Sequence, residues 1–170
     1  MKATREKSSS ARGSRTRRLA RISVFSALSV IGSFIHLPGA VQTVSFDSSP
    51  GFFAALYFGP LDGAVVSAIG HIATSIINGV PLGLVHLPIA FGLGIAGAAI
   101  GIVNRVHSSM GFLPAIAVGV AINTGLVVLA VPVLGWPATI SFIPFLLLAA
   151  AINGAVAAAT YVAVRGRLRS

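Results

Sequence analysis

Residues 84–103 read Leu-Val-His-Leu-Pro-Ile-Ala-Phe-Gly-Leu-Gly-Ile-Ala-Gly-Ala-Ala-Ile-Gly-Ile-Val, 20 positions without an Asp, Glu, Lys or Arg. A helix of about 20 apolar residues spans the hydrocarbon core of a bilayer. Within this run, Gly92-x-Gly94-x-x-Gly97 matches a dinucleotide fingerprint by letters alone. No strand precedes it and no acidic residue follows about 20 positions later, which removes that reading. The glycines instead make a smooth helix face, continued by Gly97-x-x-x-Gly101, on which a second helix can pack closely. Ala151, Gly154, Ala155 and Ala158, and the pair Ala115 and Gly119, offer similar faces further along.

The rest of the chain has the same character. Of 170 residues, 55% are hydrophobic and 9% charged, with a mean hydropathy of +0.94; soluble domains carry about a quarter charged residues. From Ile22 to Val164 the only formal charges are Asp47, Asp62 and Arg105, so a soluble enzyme is excluded and lipid must be the solvent. The net charge of +9 is concentrated at the ends, in the Arg-rich residues 1–21 and in Arg165, Arg167 and Arg169. A Ser/Arg tail beside a membrane span sets topology or touches anionic lipid, so no nucleic-acid partner is expected. The absence of cysteine excludes disulfides and thiolate ligands. The first apolar run has no Ala-x-Ala cleavage pattern and is read as a retained span.

Turn residues divide the chain into six expected spans: about Leu19–Leu37, a short one around Gly51–Phe58, Leu61–Ile77, Leu84–Val103, Phe112–Leu134 and Thr139–Val164. The second is too short alone and borrows Val41–Phe46. Charge parity supports its crossing, because only an even count puts the N-terminal tail, Arg105 and the C-terminal arginines on one, cytoplasmic, side. The expected fold is an all-α membrane protein, a compact bundle of six transmembrane helices. It comprises a basic disordered cytoplasmic tail over 1–18, a six-span domain over 19–165 and a basic cytoplasmic end over 166–170.

This topology sorts the polar residues. His36, Gln42, Ser45, Asp47, Asn78, His86 and Trp136 lie near the outer face, and Asp62, Asn104, Arg105 and His107 near the inner one. Ser67, His71, Thr74 and Asn78 recur at i, i+4, i+7 and i+11, a stripe that must face protein or a cavity because unpartnered polar groups are costly in hydrocarbon. His71 either meets a ligand or bonds a neighbouring carbonyl, Asn123 or Asn153. His36, Asp47 and His86 can converge on an outer pocket with Trp136 as a stacking platform. The outer half has no Lys or Arg, so the ligand expected there is planar and neutral or weakly basic. Two His and an Asp also suit a transition metal, but their spacing matches no metal motif, and no metal or cofactor is expected. Asp47 and Asp62 lie on opposite sides, so no carboxylate dyad forms; a Walker A sequence and a Gly-x-Ser-x-Gly elbow are also absent. Ala20, Ser23 and Ala27 share one face of the first span, suited either to internal packing or to docking of a partner's helix.

With this layout, the Arg-rich N-terminus, the small face of span 1 and Gly59-Pro60-Leu61-Asp62-Gly63, the chain resembles the substrate-binding S components of energy-coupling factor (ECF) vitamin transporters over about residues 17–165. Phe46-Asp47-Ser48-Ser49-Pro50-Gly51-Phe52-Phe53-Ala54-Ala55, Gly70-His71, Pro81-Leu82-Gly83 and His86-Leu87 resemble most the members assigned to alpha-ribazole, a neutral riboside used in cobalamin salvage. The resemblance implies a non-enzymatic capture subunit of the cell membrane. It would bind a vitamin precursor on the outer side beneath a lid, Pro38–Pro50, and topple when docked through Ala20, Ser23 and Ala27 on a transmembrane coupling subunit driven by two ATPases. The implied site is His36, Phe46, Asp47, His71, Asn78, His86, Asn123 and Trp136. Asp47 and Asn78 would bond hydroxyls, the histidines ring nitrogens or ribose, and Phe46 or Trp136 would stack. The residues alone leave two other classes open: a small membrane enzyme using His36, Asp47 and His86, and a channel or assembly subunit held by its Gly/Ala faces.

Overall fold

The computed structural model describes residues 2–35, 45–106 and 110–167. It is all-helical: α1 (Lys2–Ser33), α2 (Ser49–Tyr57), α3 (Pro60–Ile77), α4 (His86–Val106), α5 (Phe112–Gly125) and α6 (Val131–Arg167), with 3-10 turns at Gly83–Val85 and Leu126–Ala130. Three stretches are long and apolar enough to cross a membrane: Pro60–Ile77, Gly83–Val106 and the 55-residue Phe112–Gly166. The last is broken at Gly135, whose φ of 74° lies in the left-handed region, within the turn expected at Leu134–Pro137. The described part of α1 and the nine residues of α2 do not qualify as spans, so six separate crossings are not evident from helix length. The bounds of α1 start at Lys2, within the basic N-terminal segment.

The short helix is the centre of the bundle. At about 1.5 Å per residue α2 is about 14 Å long, half a bilayer core, yet every residue from Gly51 to Leu56 is buried. A helix apolar on all sides belongs inside, and α1, α3, α4, α5 and α6 all pack against it. Phe52, Phe53, Leu56, Ile100 and Ala157 form the core, with Phe25 stacked on Phe53 at 5.3 Å. Pro60 opens α3 where its missing N–H costs nothing, and Asp62 sits in the first turn, where the helix dipole favours a negative charge.

Small residues set the approach of α3 to α4, as the glycine pattern predicts. A Cβ at Gly97 would stand 2.6 Å from the Gly63 carbonyl carbon and 2.9 Å from the Ala64 nitrogen, and one at Gly101 2.5 Å from the Pro60 Cα. These neighbours are backbone and cannot rotate away. Gly97→Ala is therefore expected to destabilise the chain by about 1–3 kcal/mol, the usual range for overpacking, read as a lowered thermal midpoint in detergent. Gly166→Ala, with open space at its Cβ, should leave the midpoint unchanged.

α1 packs through a different face from Ala20, Ser23 and Ala27. Ser26, Ser29 and Ser33 are buried, with Ser29 beside Gly70 of α3, whereas Ala20, Ser23 and Ala27 are exposed. At the end of the bundle holding the α2–α3 turn, the buried Asp62 carboxylate takes Arg18 Nε at 2.6 Å and Arg21 Nη2, and the Arg21 guanidinium lies 4.7 Å over the Phe58 ring. Asn104 Nδ2 donates to Leu56 O at 3.0 Å and Arg105 Nη2 to Phe58 O at 3.2 Å. These bonds satisfy carbonyls at the end of α2 that have no partner within the helix.

Candidate functional site

A cavity of about 180 Å³ lies at the end of the bundle holding the α3–α4 loop. Its apolar wall comes from α4, the 3-10 turn that follows α5, and α6, through Ile89, Leu93, Leu126, Val127, Phe142 and Leu146 among others. The polar lining is Ser45, Asp47, Ser48, His71, His86, Asn123 and Asn153. Among the described residues no Lys or Arg lines it. An apolar enclosure with a few convergent polar groups is the usual make-up of a small-molecule site.

Helices α3, α4, α5 and α6 and the segment 45–49 place those groups. α3 carries His71 at mid-helix, and its polar stripe faces protein and cavity: Ser67 is buried against Gly51, Thr74 is buried, and Asn78 Nδ2 donates back to Thr74 O at 3.0 Å. His71 meets neither Asn123 nor Asn153; its Nε2 is 3.1 Å from Nδ1 of His86, the first residue of α4. Asn123 on α5 also lines the cavity, and its side-chain amide makes no hydrogen bond among the described residues.

The segment 45–49 leading into α2 supplies Ser45, Asp47 and Ser48, and Asn153 of α6 holds it. Asn153 Oδ1 accepts from Ser49 N at 2.8 Å and Ser49 Oγ at 3.0 Å; its Nδ2 donates to Ser45 O and Ala149 O, both at 2.9 Å. All four capacities of the amide are used. Phe46 N donates to Gly32 O and Ile35 O at 3.2 Å each, tying the same segment to the end of α1. Asp47 is thereby fixed over the cavity, with Ser48 Oγ donating to its Oδ1 at 3.2 Å.

Of the residues expected from sequence, Asp47, His71, His86 and Asn123 come together. Trp136 is 60% exposed and does not line the cavity. Phe46 turns into a separate apolar cleft between α1 and α6, and Asn78 is occupied at the end of α3. His36, like Gln42 and His107, lies outside the described residues. The aromatic ring in the wall is Phe142, which nothing in the sequence marks, because it is one of several aromatics in a uniformly apolar helix. Asn153 carried a signal, as a lone amide in the apolar run of α6; its role in holding residues 45–49 did not.

No curated protein matches the chain by sequence. A solved structure described as the S component of a bacterial ECF transporter superposes with a TM-score of 0.67 at 19% identity, covering 92% of this chain and 99% of that one; at that identity the likeness concerns the fold. The family model for the ECF transporter, substrate-specific component, matches residues 17–165. That span takes in α2 at the centre, the cavity and the exposed small-residue face of α1, and the chain belongs to the substrate-specific component family of ECF transporters.

Proposed function

We propose that this chain captures a neutral, planar vitamin precursor, alpha-ribazole, in the cavity between α3, α4, α5 and α6, and delivers it through a coupling subunit. As a family member it is a transport subunit and not an enzyme, working with an ECF module of transmembrane and ATPase subunits. The observation that carries the ligand reading is the polar lining. Asp47, His71 and Asn123 offer hydrogen bonds to hydroxyls and ring nitrogens, and among the described residues no Lys or Arg lines the cavity to hold a carboxylate or phosphate. At about 180 Å³ the cavity is smaller than the ~300–1,000 Å³ of most ligand sites. The bicyclic base would fill it between Phe142 and Leu93, leaving the ribose toward Asp47 and the lid at Pro38–Pro50.

In this reading the chain crosses the cell membrane six times with both termini in the cytoplasm, the half-length α2 crossing together with the residues before it. Binding beneath the lid is followed by toppling on the coupling subunit, docked at Ala20, Ser23 and Ala27. The test is the small-molecule content of detergent-purified protein by mass spectrometry, together with thermal shift on added alpha-ribazole. A ligand at 100 times its Kd stabilises by about 2.7 kcal/mol, so a clear rise in midpoint is expected. No retained precursor and no shift with any vitamin precursor would overturn the proposal.

A further inference from the structure

The two histidines in the cavity wall fix one another's protons. Leu82 N–H donates to His86 Nε2 at 3.2 Å. A ring nitrogen that accepts carries no proton, so His86 is neutral with its proton on Nδ1. That proton is directed to His71 Nε2, 3.1 Å away, which must accept it; His71 is then neutral with its own proton on Nδ1. The sequence of donors starts at a backbone amide, which cannot reverse, and this sets the direction of the whole relay. His71 Nδ1 has no protein partner among the described residues. With a proton on His86 Nδ1, no lone pair is left there for a metal shared by the two rings.

The α3–α4 loop holds the amide in place. Gly79, Val80 and Gly83 all take left-handed backbone conformations, with φ of 78°, 52° and 57°. At Val80 this is unusual for a β-branched residue. The turn delivers Leu82 N–H onto His86.

We propose that His86 is a positioning residue: held by the Leu82 amide, it fixes His71 as a hydrogen-bond donor through Nδ1, so that the cavity selects ligands presenting an unprotonated ring nitrogen or a carbonyl at that point of α3. This rests on the capture reading above and narrows its ligand class to neutral molecules that present an acceptor nitrogen or carbonyl there, such as a heterocycle with an unprotonated ring nitrogen. Asn123 can turn either its oxygen or its NH2 toward a ligand and does not impose such a choice.

Nitrogen-15 NMR of the histidine-labelled, ligand-free chain tests the relay directly. Both His71 and His86 should show a protonated Nδ1 and an unprotonated Nε2; a proton on Nε2 of either ring overturns the proposal. The ligand arm compares alpha-ribazole with its indole counterpart, in which the acceptor ring nitrogen is replaced by C–H. The wild type should prefer alpha-ribazole by about tenfold or more, and His86→Leu should reduce the preference to about twofold or less, with His71 losing its fixed tautomer. Equal affinities in the wild type, or an undiminished preference in His86→Leu, would contradict it. If His86→Leu does not fold, the wild-type tautomers and discrimination decide the matter. If neither compound binds, the capture reading fails while the NMR result still settles whether His86 positions His71.

Discussion

Asn153→Ala is expected to lower the thermal midpoint of the purified chain by on the order of 10 °C and to abolish ligand binding. Asn153 is 2% exposed and makes four hydrogen bonds. Truncation leaves the Ser49 N–H and the Ser45 carbonyl without partners in a buried setting, and each orphaned group costs about 1–3 kcal/mol. The effect reaches the site because residues 45–49 carry Asp47 and open the central helix. Calorimetry or thermal shift reads the stability, and hydrogen exchange at the Ser49 amide should rise selectively. A midpoint within about 2 °C of wild type would show that this amide does not hold the segment.

The second large effect concerns coupling. Ala27→Trp or Ser23→Trp should eliminate co-purification of the coupling subunit and reduce uptake in cells by about a hundredfold or more, while ligand binding by the isolated chain stays within about twofold of wild type. Ala20, Ser23 and Ala27 are exposed, so a large side chain there disturbs no internal contact. Small residues let the backbones of two membrane helices approach closely, and an indole holds them apart. Ser29→Trp on the opposite face is the contrasting case. Ser29 is 0% exposed and lies against Gly70, so that variant should fail to fold. Retained co-purification in both exposed-face variants would remove docking from this face.

The architecture was legible in sequence wherever chain chemistry is local. Asn78-Gly79 ends α3 and Leu134–Pro137 contains the break at Gly135, because turn residues act on their own backbone. Gly97 and Gly101 announced a close helix contact, though not that its partner would be Gly63 and Pro60. What was hidden depends on tertiary placement. A short apolar segment does not show in sequence what surrounds it, so the burial of α2 among the other helices was not legible. In α1 the outward face of Ala20, Ser23 and Ala27 and the inward face of Ser26, Ser29 and Ser33 are both built of small residues, and only packing separates them. Within the site, the polar stripe of α3 identified His71 but not His86 as its partner, since a pairing between α3 and α4 leaves no periodic trace. Trp136 was expected to stack because it is large and near the correct end; it faces outward, and Phe142 lines the wall instead.

In the proposed function the cavity walled by α3, α4, α5 and α6 holds the transported molecule. Equilibrium binding of alpha-ribazole to wild type and to Ile89→Trp tests it most directly, since Ile89 lines the cavity and is only partly buried, so the larger ring fills the space without displacing the core. Saturable one-to-one binding is expected for the wild type and none for Ile89→Trp, with the variant still folded and still recovered with its coupling subunit. Full affinity in the folded Ile89→Trp variant would place the ligand elsewhere and contradict it.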